Sequence, residues 1–454
     1  MTKAKALLLA SMVMVTGCSF IPRYQRPEAP VPSAYPAAGI TNAATATIPW
    51  NRFFTDARQQ QLIALALTNN RDLRAAALRV DQSQAQYRIS RSALFPRQDA
   101  SAGFDRTRAG GITRDQWSAN LGTTAYEVDL FGRVRSLNRQ ALEKYLATAE
   151  ARRATQVALV AEVATADLDL RRATQQLALA NETLRLVEES RTLNKAAFDV
   201  GASNELDVRS ADAQIEFTRV SLLEAQLQLA EARNRLEFLI GQPLPAELAS
   251  APLPLDDNLL ARVPAGLPSE LIQFRPDILQ AEHTLRAANA NVGAARAAFL
   301  PTLRLTTSTG TTSDELSKLF GAGTGVWSFS PQLTLPLFTG GENRANLAAA
   351  RIAVRIEVAN YEKAIQAAFR EVADALAAIE ARDAQAGAFE SLTVAQQRRF
   401  DLAQARYRQG EDIYLNVLSA QQDLFDARQR AIDNTFSRLS SRIVLFKGLG
   451  GGWN

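Results

Sequence analysis

The sequence predicts a mainly α-helical fold made from two copies of one half, each with a long antiparallel helical hairpin and two strands. The first observation is a repeat: Tyr407-Arg-Gln-Gly410 lies 209 positions after Phe198-Asp-Val-Gly201. Glu371-Val372-Ala373 lies at the same distance after Glu162-Val163-Ala164. This period is far longer than a solenoid unit. It indicates a duplicated half with internal pseudo-twofold symmetry, which favours a structural element such as a wall over a single catalytic pocket.

The second observation is two long stretches that lack helix breakers. Neither Gly nor Pro occurs from 133 to 200, and from 342 to 409 the single exception is Gly387. Either stretch would reach roughly 100 Å as one continuous helix. Each is followed by a glycine, Gly201 or Gly410, and then by a second helical pattern, over about 205–240 and 413–446. Because glycine suits the left-handed position that ends a helix, we expect the chain to turn back there.

The third observation is period-two alternation. In 326–335, apolar Trp327, Phe329 and Leu333 alternate with Ser328, Gln332 and Thr334. The segment 117–125 alternates in the same way, with Trp117, Ala119, Leu121 and Ala125 on one face, and partners are expected at about 98–107 and 302–310. Such segments suit strands of a membrane barrel, and they suit a half-buried soluble sheet equally well. Four strands cannot close a barrel of useful bore, so a barrel requires several chains.

The N-terminus has the layout of a secretory signal. Lys3 and Lys5 precede an apolar run, 6–15, that is too short to span a bilayer. Small residues then lead to Cys18, which indicates a bacterial lipoprotein signal over 1–17 and a covalent lipid on the Cys18 thiol. An ordinary cleaved signal with an incidental cysteine is the alternative. Cys18 is the only cysteine in the chain, so an intramolecular disulfide is impossible.

Proline-rich stretches divide the rest of the chain. Residues 18–50 are predicted to be a lipidated, extended tether, and 243–268 a linker between the copies. The first repeat then covers 51–242 and the second 269–447. The glycine-rich end, 448–454, is expected to be mobile.

Composition argues against nucleic-acid binding and against catalysis. The net charge of +4 is a small excess spread along helical faces, where solvated positions explain it. His283 is the only histidine, and it has no ligand cluster around it in the sequence. No phosphate loop, cysteine pair or nucleophile elbow occurs. We therefore predict that the protein is not an enzyme and that a partner supplies its energy.

At this point the chain resembles the TolC-like outer-membrane efflux factors, in their lipoprotein (NodT-type) branch, along essentially its whole length. The motifs that carry the resemblance are Cys18 with Pro22-x-Tyr24-x-Arg26-Pro27, Trp50-x-x-Phe53-x-Asp56, Ala298-Phe-Leu-Pro301, Pro336-Leu-Phe338-x-Gly340-Gly341 and the two glycine turns. The resemblance implies a homotrimer in the outer membrane of a Gram-negative bacterium. Each chain would give four strands to one twelve-stranded membrane β-barrel, and the helices would form a periplasmic tube. No cofactor is implied apart from the lipid on Cys18.

The resemblance also implies partners and a gate. Gly201 and Gly410 would lie at the inner end of the tube, where it meets a periplasmic adaptor and an inner-membrane RND-type pump. Charged rings at a constriction select and gate solutes. The candidates for this aperture are Glu205, Asp207, Glu411, Asp412 and Asn416. The alternative is that these acids merely favour helix starts through the helix dipole. Relatives often carry Asp where this chain has Ser419. This difference leaves undecided whether a complete acidic ring exists.

The predicted function is that of a passive exit duct for small organic compounds such as drugs. Soft metals would be expected to need Met and His ligands, but all three Met lie within the first 14 residues and there is one His. Two alternatives remain: a lipid-anchored coiled-coil scaffold of the envelope, and an exit duct for secreted proteins or peptides.

Overall fold

A computed structural model of the chain describes residues 19–32, 35, 49–251, 253–261 and 274–451. Its helices are α1 (Trp50–Phe53), α2 (Ala57–Asn69), α3 (Arg71–Ser92), α4 (Arg133–Asp199), α5 (Glu205–Ile240), α6 (Ala246–Ala249), α7 (Pro276–Ala297), α8 (Glu342–Arg408) and α9 (Tyr414–Gly448). Its strands are β1 (Asp99–Ala109), β2 (Ile112–Val128), β3 (Thr302–Ser313) and β4 (Gly325–Thr334). The chain is therefore mainly helical with four strands, as predicted. Within the described ranges, every helix is too short or too polar to cross a bilayer.

The chain divides into two compact units. The first comprises the described residues up to Ala29 together with Leu78–Glu150 and Leu279–Ala364. It contains the sheet, most of α7 and the first turns of α4 and α8. The second comprises Pro30–Ala77, Ala151–Ile278 and the chain from Ile365 onward, as far as these are described. It contains both predicted helical hairpins, α4–α5 and α8–α9.

The sheet of the first unit is antiparallel, in the order β1-β2-β3-β4. Cross-strand pairing confirms the predicted faces: Phe104 lies opposite Trp117 with ring centroids 4.3 Å apart, and Leu333 lies opposite Leu303. The apolar face is uncovered in the single chain, where Trp327 is 80 % exposed and Leu333 65 %. Large apolar side chains in such numbers on one face indicate a surface that lipid or another chain covers.

One strand departs from simple alternation. β2 carries a bulge between Thr123 and Tyr126, and Ala125 has a φ of 52°. A bulge inserts one unpaired residue, so the faces exchange beyond it. Leu305 pairs with Tyr126, and Tyr126 therefore takes the position on the Trp117 face that alternation assigned to Ala125. The prediction for Ala125 was wrong for this reason.

The core of the second unit explains the motif at 50–56. Phe53 and Phe54 are fully buried, and the ring of Phe53 stacks on Phe446 of α9 at 4.2 Å. Asp56 caps α2 by accepting a hydrogen bond from the Gln59 backbone N–H at 2.8 Å. The same carboxylate accepts from Arg171 Nη2 at 2.9 Å. One short motif thus supplies both the aromatic centre of this core and a helix cap.

A buried charge network lies beside this core. Arg171 and Asp167, both fully buried, are joined by Nε–Oδ2 at 2.8 Å, and Arg58 donates to the other oxygen of Asp167. Burial lowers the pKa of Arg58 to about 10. Removing either partner of such a pair leaves a buried charge uncompensated, typically at a cost of about 3–5 kcal/mol. The network fixes α2 to the middle of α4.

The segments predicted to be a tether, a linker and a tail make packing contacts or hydrogen bonds where the structure describes them. In the linker, Leu248, Leu255 and Leu260 are buried, and the Ala261 N–H donates to the Phe53 carbonyl at 2.8 Å. In the tail, the Gly448 carbonyl accepts from Arg275 at 2.6 Å, and the mobility of 448–454 stays a prediction. In the tether, 20–27 lies along α7. Cys18 itself lies outside the described residues.

Candidate functional site at the two hairpin turns

Both hairpins turn through the same backbone motif. Gly201 and Gly410 have φ of 76° and 75°, the left-handed region that favours glycine. After α4, the Ala202 N–H donates to the Ala197 carbonyl at 2.8 Å, and after α8 the Glu411 N–H donates to the Arg406 carbonyl at 3.0 Å. This is the Schellman arrangement, which satisfies the last carbonyls of a helix. A Cβ at either glycine would meet open space, so backbone conformation alone requires glycine there.

The return helices begin differently. In the first hairpin, the Asn204 side chain caps α5 by accepting from the Asp207 N–H at 2.9 Å. The Asp207 carboxylate in turn accepts from Ser203 Oγ at 3.2 Å and from Asn204 Nδ2 at 3.1 Å. This reciprocal pair satisfies exposed donors at the helix start. Asp207 is thus a member of a cap as well as an aperture candidate.

In the second hairpin, the capping position holds Ile413, which offers no side-chain acceptor. Asp412, one residue earlier, accepts from the Ile413 N–H at 2.9 Å and from Asn416 Nδ2 at 2.6 Å. The hydrogen bond from Asn416, then that from the Ile413 backbone, lowers the pKa of the Asp412 carboxyl. Arg406 also lies 3.5 Å from Asp412. Each hairpin therefore starts its return helix with an Asn–Asp pair, but the two pairs occupy different positions.

Two tyrosines of the second hairpin join it to the first. The Tyr407 hydroxyl contacts Asn194 Oδ1, and the Tyr414 hydroxyl lies 3.1 Å from Ser190 Oγ. Their rings lie 5.4 Å apart. Tyr414 is 1 % exposed, and burial is the main cause that raises the pKa of its hydroxyl. Ala211 of the first hairpin belongs to the same buried cluster as Tyr414.

Between the turns lies a groove of about 680 Å³. It brings together four of the predicted residues, Gly201, Asp207, Gly410 and Asp412, with small and apolar neighbours. The other lining residues are Ser190, Leu193, Ala197, Ala202, Ser203, Asn204, Tyr407, Arg408 and Ile413. The groove therefore presents apolar side chains beside two carboxylates and the guanidinium of Arg408.

The remaining candidates lie on exposed positions around the turns. The Glu205 side chain is 70 % exposed and contacts Arg209 one helical turn later, at 3.3 Å. Glu411 is exposed, and the amide of Asn416 donates to Asp412. Ser419 accepts from Arg399 Nη2 at 3.3 Å. The aperture assignment stays a prediction for all five candidates.

Sequence reasoning missed the tyrosine contacts. A signal was present, because the repeat places Tyr414 where the first copy has Glu205 and Ile413 where it has Asn204. A position that is charged in one copy and aromatic in the other indicates that the second copy is buried there. The partners Ser190 and Asn194 lie in the Gly-free run of α4, where no local pattern distinguishes them.

Known proteins match the chain in sequence and in structure. The family model described as "Outer membrane efflux protein" matches residues 62–242 and 267–451. The toluene efflux pump outer membrane protein TtgC of Pseudomonas putida is 47% identical over 100% of this chain and 96% of its own. The cation efflux system protein CusC of Escherichia coli is 39% identical, with 100% of both covered.

A solved structure agrees over nearly the whole chain. The open state of the MtrE outer membrane channel of Neisseria gonorrhoeae superimposes with a TM-score of 0.89 at 38% identity. The match covers 96% of this chain and 98% of that one. The chain belongs to the outer membrane efflux protein family.

Proposed function

We propose that the protein is the outer-membrane exit duct of a tripartite efflux system and that the two hairpin turns are its inner end. The observation that carries this proposal is the paired turn. Two copies of one Schellman turn are joined by Tyr407 and Tyr414 into a single groove. A helical tube that opens at one end needs a defined structure there, repeated around its axis. The family's outer-membrane channels support the same assignment.

The sheet supports assembly as a trimer. β1 and β4 are the edge strands of a four-stranded sheet, and an open edge offers unpaired backbone groups to another strand. Three copies would pair β1 of one chain with β4 of the next and close twelve strands. The exposed face of Trp327, Phe329 and Leu333 would then contact lipid, and the face of Ser328, Gln332 and Thr334 a wet lumen.

The groove between the turns is the proposed contact for a periplasmic adaptor, which couples the duct to an inner-membrane RND-type pump. Leu193 and Ile413 at the groove are 53 % and 61 % exposed. Asp207, Asp412 and Arg408 add charges of both signs beside them. This surface fits a partner tip that carries an apolar side chain flanked by charged ones.

The proposed cargo is small organic molecules. A 47% identical relative is named for toluene, whereas the relative named for cations is 39% identical. His283, the single histidine, is engaged at 2.7 Å with Glu143, which is almost fully buried. A duct for soft cations would be expected to offer thioether and imidazole groups to them.

Complementation tests the function and the cargo together. The chain is expressed with a compatible pump and adaptor in a strain that lacks its own outer-membrane channel. We expect toluene tolerance to be restored and tolerance of Cu(I) to stay unchanged. Restoration of Cu(I) tolerance alone would reverse the cargo proposal, and restoration of neither would contradict the duct.

Cysteine labelling tests the barrel. Single substitutions Ser328→Cys, Gln332→Cys and Thr334→Cys should react with small water-soluble thiol reagents. Phe329→Cys and Leu333→Cys on the same strand are the matched controls, and lipid should shield them. The inverse pattern would mean that the faces are exchanged. Light scattering in mild detergents should give the mass of three chains, and a monomer throughout would count against a shared barrel.

A lipid on Cys18 is part of the same proposal. Mass spectrometry of the purified N-terminus should show a diacylglycerol on the Cys18 sulfur. Cys18→Ser should accumulate unlipidated or poorly processed protein. A mature, unmodified Cys18 would disprove the lipid attachment.

A further inference from the structure

The segment that follows the N-terminal leader runs along α7 in a fixed register. Near the end of α7, Arg296 donates to the Phe20 carbonyl at 3.4 Å, and Asn289 donates to the Pro22 carbonyl at 2.8 Å. Farther toward the start of the helix, Tyr24 and Arg26 reach Glu282. Residues 20–26 thus run antiparallel to α7 over four helical turns. We call this stretch the strap, residues 20–27.

Glu282 holds the strap by an unusual number of donors. Its side chain is 3 % exposed. It accepts from Tyr24 at 3.1 Å, and from Arg26 through both Nε and Nη2, at 3.1 and 2.8 Å. Arg286, one turn along α7, donates at 2.7 Å. A buried carboxylate is tolerated only when it is paired and hydrogen-bonded, and here most of the donors come from the strap.

The contact with Glu282 also changes the properties of the Tyr24 hydroxyl. Burial, followed by the charge of Glu282, raises the pKa of its hydroxyl to about 12, so that it remains a donor. The guanidinium of Arg286 lies 5.0 Å from the centre of its ring, within the range of a cation–π contact. Tyr24 is therefore held at two places. Its hydroxyl donates to the Glu282 carboxylate, and its ring contacts the Arg286 guanidinium.

A notch in α7 receives the strap backbone. Gly293 lies between the two carbonyl contacts, and a Cβ there would stand 2.7 Å from Ile21 Cγ1, 2.9 Å from Ile21 Cα and 2.8 Å from Ser136 Oγ of α4. Real Cβ atoms do not approach so closely, so the strap and any residue larger than glycine compete for this space. The notch is independent of the Glu282 contacts and lies about three turns away from them.

We propose that α7 is a built docking surface for the strap, with Glu282 as its latch and Gly293 as its notch. The occupant is the extended segment of the same chain that carries Tyr and Arg two residues apart, followed by Pro. These contacts, rather than a lipid upstream, hold the strap against the first unit. The latch and the notch are independent of transport, and they give the Pro22-x-Tyr24-x-Arg26-Pro27 motif a physical role.

Limited proteolysis of the full-length protein in detergent tests the docking. Trypsin can cut after Arg23, whose side chain is exposed, but it needs several residues of loosened backbone to do so. We expect Glu282→Gln to speed cleavage at Arg23–Tyr24 about tenfold, with Cys18 untouched. Glu315→Gln is the matched control, because it removes an exposed pair with Lys318 in the same unit. It should leave the rate at Arg23 unchanged.

Variants on the strap side guard against a general loss of folding. Arg26→Met acts on a side chain that is 46 % exposed and should also speed cleavage at Arg23. The double variant should be no faster than Glu282→Gln alone, since Arg26 acts through Glu282. Gly293→Ala should also expose Arg23. Wild-type cleavage rates in Glu282→Gln and Arg26→Met, with the lipid in place, would overturn the latch. Additive effects of the two would show that they do not act through each other and would overturn it as well.

Discussion

The two hairpins share a turn but differ in what surrounds it. Gly201 and Gly410 end α4 and α8 with the same Schellman hydrogen bonds. The first hairpin then continues with a capped helix start, in which Asn204 holds the Asp207 N–H. The second has Ile413 at that position and relies on Asp412 from outside the helix. Duplication has preserved the backbone motif and has let the capping chemistry diverge.

The long helices that lead to the turns also differ. Between Ala166 and Arg191, α4 buries residues at regular intervals, among them Ala173, Ala180 and Val187. The corresponding part of α8, between Ala375 and Phe400, has no buried residue among those described and contains Gly387. A helix with few buried contacts and an interior glycine opens and bends more easily. In the single chain, the first hairpin is therefore the stiffer one and the second the more pliant.

This difference assigns roles within one tip. A gate needs a rigid part and a moving part. A duplicated structure can supply both when one copy has fewer stabilising contacts than the other. The tyrosines that join the hairpins belong to the second copy, whereas their partners Ser190 and Asn194 belong to the first. The pliant hairpin is thus held to the stiff one by side-chain hydrogen bonds that can be broken singly.

The largest effect is expected from the turn glycines. Gly410→Val and Gly201→Val place a β-branched residue in the left-handed region, which costs about 1–2 kcal/mol or more. Because the second hairpin lacks a side-chain cap, we expect Gly410→Val to reduce toluene efflux more than Gly201→Val. Efflux measured in the complemented strain checks this order.

Gly325→Val is the matched control for both. Gly325 begins β4, has no positive φ and faces open space. A β-branched residue suits a strand, so efflux should be retained. Equal losses at 201 and 410 would show that the cap at Asn204 gives the first turn no advantage.

The next effect concerns the tyrosine hydroxyls. Tyr407→Phe and Tyr414→Phe should each destabilise the tip by about 1 kcal/mol, since each removes one hydrogen bond between the hairpins. We expect larger or more frequent openings in planar bilayers. Tyr87→Phe, on a ring that stacks on Tyr145 at 6.3 Å in the first unit, is the matched control.

The same pair gives a pH expectation. The pKa of Tyr414 is raised above its ordinary value of 10.0, chiefly by burial. The folded state therefore favours the protonated hydroxyl, and its contribution is present below pH 10 and lost as the pH rises through the folded pKa. Conductance should be constant from pH 6 to 9. A loss of closure within that range would mean that another group controls the tip.

A smaller effect tests the aperture charges. Asp207→Asn removes the charge but keeps the capping hydrogen bonds, and it reproduces the residue that the second copy has at Asn416. With Glu205→Gln, it should lower cation preference in planar bilayers and leave the trimer intact. The effect should shrink at high salt, because exposed charges are screened beyond about 10 Å at 0.1 M. Unchanged reversal potentials across salt concentrations would favour the role of helix-start acid alone.

Much of the fold could be predicted because its signals are local. The two long runs, interrupted only by Gly387 in the second, predicted α4 and α8 almost to the residue. The alternation of Trp327, Phe329 and Leu333 identified β4 and its faces. The turns were found because left-handed backbone requires glycine at both copies. Each of these signals needs only neighbouring residues.

What escaped prediction depends on contacts between distant residues. Nothing near Ala125 marks a bulge, which arises where β2 bends against β3. The Pro-rich stretch was predicted only as a linker between the copies, but its leucines fill the core beside Phe53. Tyr24 and Arg26 were recognised as a motif, yet their acceptor, Glu282, is more than 250 residues away. The composition of a segment can be read locally, whereas its packing depends on residues that are distant in the sequence.

The smallest expected effect tests whether bending of α8 in the second hairpin is part of channel opening. Gly387 is exposed, and a Cβ there would meet open space, so packing does not require glycine. Gly387→Ala should stabilise α8 by about 0.5–1 kcal/mol, because glycine loses more backbone entropy in a helix. If bending of α8 accompanies opening, the variant should open less often in bilayers while its thermal stability rises slightly. Ala388→Gly, on the next and equally exposed residue, is the reverse control and should open more often. Identical opening of all three proteins would mean that α8 moves as a rigid rod, and that the two hairpins differ in burial without differing in motion.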